Sequence, residues 1–370
     1  MRLHCLSLFL LSIIAVTSQA QQTQTSSLNI GDPAPPLRLR EWIKGTPVQQ
    51  FEKGKIYVVE FWATWCGYCI DAMPHLSALA RTYKDQVTVL GIDILEKKTT
   101  SIKKVKAFVD SIGNRMDYSV AAEDSNFMAQ DWLYASGEQG IPATYVVNSE
   151  GKIAWIGHPL NLDTVLAKMV SKTWNVEAEL AWRNEELIKR KEQMRLAALE
   201  HSYRDQLNSY VGDANKPYDL GKPDSALLLI NKIVNQEPKL KFAPLVSFHT
   251  FSALLKTDKK KAYEYGREMM ATPSLLGFDN ASITSPIEWY AEKRNLISLP
   301  PEFYELGADA YGFNVNSNLS SSGKLPQRYL NSLPKTYIRM AEWYWRAKNR
   351  DKAIKALQSA IAAMGQAQEN

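Results

Sequence analysis

Nine residues, FWATWCGYC from Phe61 to Cys69, constrain the architecture more than any other stretch of this 370-residue chain. Ahead of them, Lys55 to Phe61 is rich in β-branched and aromatic residues and reads as a buried strand. Behind them, Met73, Leu76, Leu79 and Ala80 recur at helical intervals, so Cys69 to Tyr83 reads as a helix. A strand must therefore turn sharply into a helix that carries two cysteines three positions apart. Such a pair suits a redox centre, half of a metal site or a structural staple.

The pattern on either side extends the alternation. Val87 to Ile94 reads as a second buried strand, and helices are expected over Lys103 to Ile112 and Asp124 to Leu133. Ala143 to Val147 and Lys152 to Ile156 flank Asn148-Ser149-Glu150-Gly151, a hairpin signature. Strands alternating with helices and closed by a hairpin imply an α/β sandwich with a mixed sheet. After about Trp174 no strand-like alternation returns. Val176 to Tyr210 contains neither glycine nor proline and reads as one long, charge-laced helix, with shorter helices beyond it. The expected division is a signal segment over 1–20, a flexible leader over 21–30, an α/β domain over 31–173 and an all-α domain over 174–370.

Within the helical half, Ala341, Tyr344, Ala353, Leu357, Ala360 and Gly365 fall at tetratricopeptide spacing. Ala226, Ile230, Ile233 and Pro238 repeat its second helix, and Ala262, Gly266, Met269 and Pro273 give a looser match. Small alanines would let paired helices approach while larger residues fill the groove with the next pair. The prolines and the Ser/Asn run between Gly277 and Leu333 break any strict period.

The N-terminal MRLHCLSLFLLSIIAVTSQA has a basic start, an apolar run to Val16 and small residues at Ser18 and Ala20, the pattern of a signal peptide cleaved near Ala20. A retained membrane anchor is the competing reading, but the apolar run is about half of what a bilayer span requires, which favours cleavage. Cys5 would leave with the signal, so an exported chain would keep only Cys66 and Cys69. A bond between residues three apart restricts the unfolded chain little, which argues against a staple. The 44 basic and 39 acidic residues are spread along the chain, and a net charge of +5 is too balanced to indicate nucleic acid. Lysine clusters such as Lys259-Lys260-Lys261 read as solvated faces.

At the helix start, unpaired backbone N–H groups and the positive end of the macrodipole favour a thiolate on Cys66. That makes Cys66 the nucleophile and Cys69, one turn further in, the residue that resolves a mixed disulfide. Trp62 and Trp65 are expected to cap the site with apolar surface, although core packing accounts for them equally. Gly67 would permit the tight turn, and Pro74, five residues after Cys69, would kink the helix. Glu60 interrupts an apolar strand six positions before Cys66; burial would raise its pKa and let it take the proton of Cys69. The alternative for Glu60 is a solvent-facing position at the sheet edge.

Residues 31 to 173 resemble the thioredoxin superfamily, in its exported TlpA/ResA-like branch. The motifs are Gly31-Asp32-Pro33-Ala34-Pro35, Val59 through Cys69, Pro74, and Gly140-Ile141-Pro142-Ala143-Thr144. The resemblance implies that Pro142 is cis and that Trp65, Gly67, Tyr68, Ile141 and Pro142 line the substrate ledge. It also aligns Glu60 with thioredoxin's buried acid. The lysine that accompanies that acid would fall near Gly91, so the charge partner is absent. The Gly67-Tyr68 dipeptide resembles that of the periplasmic disulfide isomerase rather than the Gly-Pro of reducing thioredoxins, which leaves the direction of exchange open.

The resemblance implies protein thiol or disulfide substrates, an upstream membrane electron donor, and no cofactor beyond the Cys66–Cys69 disulfide. A zinc site would need distant ligands besides His75, and covalent haem would need histidine where Ile70 stands. A thiol peroxidase is the weaker redox alternative, because Thr64 lies two residues before Cys66, not three. His158 reads as a loop residue. A different class of function would make the helical half a partner-binding scaffold with an accessory first domain.

Overall fold

The computed structural model of the chain describes residues 27–211, 221–272, 274–317 and 330–368. The signal segment expected over 1–20, and Pro273 of the third repeat match, lie outside these residues.

Six strands form one sheet: β1 (Leu39–Lys44), β2 (Ile56–Trp62), β3 (Val87–Asp93), β4 (Ser119–Glu123), β5 (Ala143–Val147) and β6 (Ile153–Gly157), in the order β1-β4-β3-β2-β5-β6. β2, β3 and β4 are mutually parallel, whereas β1, β5 and β6 join antiparallel, as expected of a mixed sheet. Because side chains alternate across a strand, β2 sends Val58, Glu60 and Trp62 to one face and Tyr57, Val59 and Phe61 to the other. On the first face Val58 and Trp62 pack with α1 (Gly67–Thr82), α2 (Ile102–Ile112) and α3 (Leu162–Val170) through Met73, Leu76, Val105, Val109, Val165 and Leu166. On the second, Tyr57, Val59 and Phe61 meet Trp132 and Leu133 of a short π-helical segment, Ala129–Tyr134. That segment starts later than the helix expected from Asp124, because Ser125 and Asn126 adopt positive φ and turn the chain first.

Leu28 and Ile30 are buried against this second face, and Leu28 N–H donates to the Ala135 carbonyl at 3.0 Å. Leu28 and Ile30, expected to lie in a flexible leader, are thus part of the core instead.

Beyond Trp174 the described chain is helical: α4 (Val176–Ser202), α5 (Arg204–Asn208), α6 (Pro223–Gln236), α7 (Pro244–Thr257), α8 (Lys259–Ala271), α9 (Ala281–Pro286), α10 (Pro301–Ser317), α11 (Leu333–Arg346) and α12 (Arg350–Gln368). The single helix expected from Val176 to Tyr210 breaks at Tyr203. There the Ser202 hydroxyl donates back to the Leu199 carbonyl at 2.6 Å, and Tyr203 N–H bonds Glu200 O at 3.1 Å, tightening and ending the turn.

The alanine spacing is partly matched by the packing. Ala226, Ile230 and Ile233 on α6, Ala262, Gly266 and Met269 on α8, and Ala341, Tyr344, Ala353 and Ala360 on α11 and α12 all face inward. A Cβ on Gly266 would meet the Leu306 side chain at 2.7 Å, so a larger residue here would have to push that methyl group aside. Leu357 points out and a Cβ on Gly365 would meet no other element within 4 Å, because the buried face of α12 runs through Ala353, Ala356, Ala360 and Ala363.

α4 belongs to both halves. At its start Val176 and Leu180 pack on the β-sheet core, and Arg183, buried, donates to the Ser136 carbonyl at 2.9 Å and Glu138 at 3.1 Å. Towards its end Leu196 joins the helical core, Gln193 donates to the Leu275 carbonyl at 2.8 Å, and Glu200 accepts the Leu245 and Val246 N–H groups at the start of α7. The boundary expected near 174 thus falls just before a helix anchored on both sides of it.

Candidate active site

β2 ends at Trp62, and the chain turns through Ala63-Thr64-Trp65 into α1, with Cys66 as its N-cap. The turn is short because Cys66 N–H bonds the Ala63 carbonyl at 3.0 Å. Cys66 and Cys69 are joined by a disulfide, and the Cys66 sulfur also accepts the Cys69 N–H at 3.2 Å. Cys66 therefore sits where the first N–H groups of α1 point, the position expected to favour a thiolate. Cys66 retains 4% exposure and Cys69 none, so the cysteine expected to attack is the more reachable of the two.

The neighbours divide into two kinds. Trp65 and Tyr68, expected to line the substrate ledge, are about half exposed on either side of Cys66. Trp62 instead lies wholly in the core, stacked on Phe108 at 5.6 Å, so core packing, not capping, is its place. Gly67 is the first residue of α1, has no positive φ, and a Cβ there would meet nothing within 4 Å. The turn is therefore made without glycine's conformational freedom. Pro74 lies in the middle of α1. The Ile141–Pro142 bond is cis, immediately before β5, and Ile141 packs against the core cluster that holds both cysteines.

Glu60 is fully buried on the same sheet face as the disulfide, not at a solvent-facing edge. Its register partners are Gly91 on β3 and Thr144 on β5. Burial pushes its carboxyl well above the usual carboxylate range, and the Tyr118 hydroxyl offsets part of this without completing a well-formed hydrogen bond. The position expected to lack a lysine is indeed filled differently: Gly91 leaves room for the Tyr118 ring.

Two acids that the sequence reading missed brace the loop from behind, and a third lies beneath it. Glu96 accepts the Thr64 N–H at 2.6 Å, and Glu123 accepts the N–H groups of Leu95 at 3.0 Å and Ala129 at 3.1 Å. Trp65 Nε1 donates to the Leu95 carbonyl at 3.0 Å, which ties the exposed indole to the same loop. Leu95 is held at φ 58°, a strained position for a branched side chain. Asp93 lies beneath, its carboxyl pushed up to about 9 by burial and by neighbouring Glu96 and Glu123. These residues lie far apart in sequence, so spacing alone offers no signal of the cluster.

His75 sits on α1 with Nε2 3.0 Å from the Asp163 carboxylate, outside the disulfide's immediate surroundings. His158 accepts the Leu160 N–H at 3.3 Å in the turn before α3, and burial lowers its pKa. Neither is drawn to the cysteines.

Comparison with known proteins places this site in a context. The AhpC/TSA family profile matches residues 30–156, the sheet and its first helices. Protein FixW of Rhizobium leguminosarum is 35% identical over 158 residues, 42% of this chain and 72% of its own length. The thiol:disulfide interchange protein DsbE of Pasteurella multocida is 31% identical over 157 residues, 40% of this chain and 80% of its own. Thiol:disulfide interchange protein HelX of Rhodobacter capsulatus is 30% identical over 142 residues, 38% and 74% of the two chains. Each match spans about two-fifths of the chain, less than the whole by roughly the extent of the helical half. With its disulfide at a helix start and its matching sheet, the chain belongs to the thioredoxin-like family of thiol-disulfide oxidoreductases and is a redox enzyme.

Proposed function

We propose that this protein is an exported, periplasmic oxidoreductase that exchanges disulfides with protein substrates, in the reducing or isomerising direction. The observation that carries the reading is the placement of Cys66 as N-cap of α1 and bonded partner of fully buried Cys69. In the reduced enzyme the Cys66 thiolate attacks a substrate disulfide, forming a mixed disulfide and releasing one substrate thiolate. Cys69 then attacks the Cys66 sulfur. Its proton passes to the Glu60 carboxylate, the Cys66–Cys69 bond forms, and the second substrate sulfur leaves with the electron pair. Trp65, Tyr68, Ile141 and Pro142 supply the surface on which the substrate backbone rests. An upstream membrane electron donor returns the pair to the dithiol.

Export rests on the pattern of the first twenty residues. No described helix is long and apolar enough to cross a membrane. The helical half is assigned a docking role for the protein whose disulfide is exchanged, in tetratricopeptide-like fashion. That assignment is favoured by exposed Ile354, Leu357, Ile361 and Met364 along α12.

Insulin reduction with dithiothreitol tests the reading. Cys66→Ser is expected to abolish the reaction, and Cys69→Ala to accumulate a mixed disulfide with the substrate. If the wild type catalyses no exchange but turns over hydrogen peroxide, the thiol peroxidase alternative takes its place. A reduction potential in the strongly oxidising range would exclude the reducing direction.

A further inference from the structure

The interior beside the disulfide holds an unusual concentration of unpaired polar atoms. Both carboxylate oxygens of Glu60, the indole N–H of Trp62, the hydroxyl of Tyr118 and the hydroxyl of Thr144 are buried with no hydrogen-bond partner. Strand register puts Glu60 between Gly91 and Thr144, and alternation along β2 puts Trp62 on the same face, next in line towards the cysteines. A buried polar atom left unpaired costs free energy, and several around one carboxyl mark a place built for something other than stability.

Tyr118 reaches this place by way of a glycine. It lies just before β4, and its ring packs over Gly91, where an added Cβ would meet Tyr118 Cε2 at 2.8 Å, Trp62 Nε1 at 3.4 Å and Met116 Cε at 3.5 Å. A glycine inside a buried parallel strand is costly, and here it opens the space the phenol occupies. No charged side chain acts on Glu60: β3 presents Gly91, β5 presents Thr144, α1 presents the disulfide, and the segment before β4 presents Tyr118.

We propose that Tyr118 is a positioning residue for the resolving step, its hydroxyl donating to the Glu60 carboxylate and thereby keeping that base available to the Cys69 thiol. The proposal rests on the reading that Glu60 receives the Cys69 proton, and it adds the group that sets the pH at which Glu60 can do so. A carboxylate in an apolar interior binds a proton too tightly to act as a base near neutrality, and a neutral hydroxyl donor is the only polar side chain that counteracts this burial. Rotation of a tyrosine hydroxyl is enough to serve both states: it donates to the carboxylate before transfer, and can accept from the carboxylic acid afterwards. No proton is lost or gained by Tyr118 itself. One proton moves from Cys69 to Glu60 as the new disulfide forms.

The experiment is the pH dependence of the resolving step, read by single-turnover decay of a preformed mixed disulfide between Cys66 and a glutathione-like thiol in full-length protein. In the wild type the rate falls on the acid side as Glu60 becomes protonated. Tyr118→Phe keeps the ring and removes the donor. Its acid limb is expected to move up by about one pH unit, so that the rate at neutral pH drops up to about tenfold. Gly91→Ala, which crowds the ring from below, is expected to move the limb in the same direction, and the double variant is expected to move it no further than Tyr118→Phe alone. Glu60→Gln is expected to abolish the limb. If Glu60→Gln removes the limb while Tyr118→Phe, folded by its unchanged near-ultraviolet circular dichroism, leaves it in place, the role of Tyr118 is overturned and that of Glu60 stands. If Glu60→Gln leaves the limb unchanged, both fall. Should Tyr118→Phe fail to fold, the Gly91→Ala limb decides alone: an unmoved limb overturns the proposal.

Discussion

The two halves of the molecule treat buried polarity in opposite ways. Around the sheet, Glu60, Trp62, Asp93, Glu96, Tyr118, Trp132 and Thr144 all keep buried polar atoms without partners, whereas beyond α4 the described residues show this only at Ser252. The helical half instead closes its charges into networks. Arg339 bonds Glu288, Glu292 and Glu342 while Trp343 donates to Glu292 at 3.0 Å, and Lys352 joins Glu305 at 2.9 Å and Asp309 at 3.1 Å. A network with its members satisfied specifies one packing; an unsatisfied buried carboxyl keeps its capacity to gain or lose a proton. The difference teaches that chemistry and architecture are divided along the chain, with the cost of the unpaired groups borne in the sheet half that carries the disulfide.

Three substitutions put pressure on that division. The largest effect is expected at the joint. Arg183→Ala strips a buried cation from Glu138 and the Ser136 carbonyl, and chemical denaturation is expected to show a loss of about 3–5 kcal/mol. If the two halves were thermodynamically separate, that loss would appear in only one of two transitions.

Next comes Asp93, which stays neutral in the folded protein up to about 9 but ionises near 4 once unfolded. Folding therefore takes up a proton throughout that interval, so its contribution makes stability fall as pH rises and levels off above about 9. Asp93→Asn is expected to remove most of this fall, about 3 kcal/mol between pH 6 and pH 8. Urea titrations at the two pH values read it. An unchanged slope would mean the acids behind the active-site loop are not where the unpaired polarity is held.

The smallest effect lies in the helical half. A Cβ on Gly307 would fall 2.0 Å from Trp343 Cζ3, so Gly307→Ala must displace a fully buried indole, at about 2 kcal/mol. The rate of insulin reduction is expected to stay at the wild-type value below the melting temperature. A changed rate would show that helical packing reaches the disulfide after all.

Much of the site is legible in the sequence because its signals are local. A strand, a turn and a helix within FWATWCGYC position Cys66 and Cys69, and one acid in an apolar run reveals Glu60. What is not legible depends on pairing at a distance. β1 and β4 were not anticipated: Leu39–Lys44 is a half-exposed edge strand with few β-branched residues, and Ser119–Glu123 is mostly small side chains. The acids at 93, 96 and 123 converge only when β3 and β4 pair. Tyr118 likewise meets Glu60 only across the sheet, and its single trace in the sequence is a glycine at position 91, inside a strand. The break at Tyr203 leaves no trace of composition, since it is made by hydrogen bonds from Ser202 and Tyr203 to the preceding turn.

The helix α4 has a consequence for how this protein can be taken apart. A cut after residue 173 follows the change in composition, yet it would uncover apolar surface where Val176 and Leu180 had lain, and leave Glu138 facing solvent without its two arginines, Arg183 and Arg190. The excised redox domain would be a wounded one, stickier and less stable than its thioredoxin-like outline suggests. A fragment that retains α4 through Arg190 carries its own lid, so the useful dissection point lies inside a helix rather than in the linker before it.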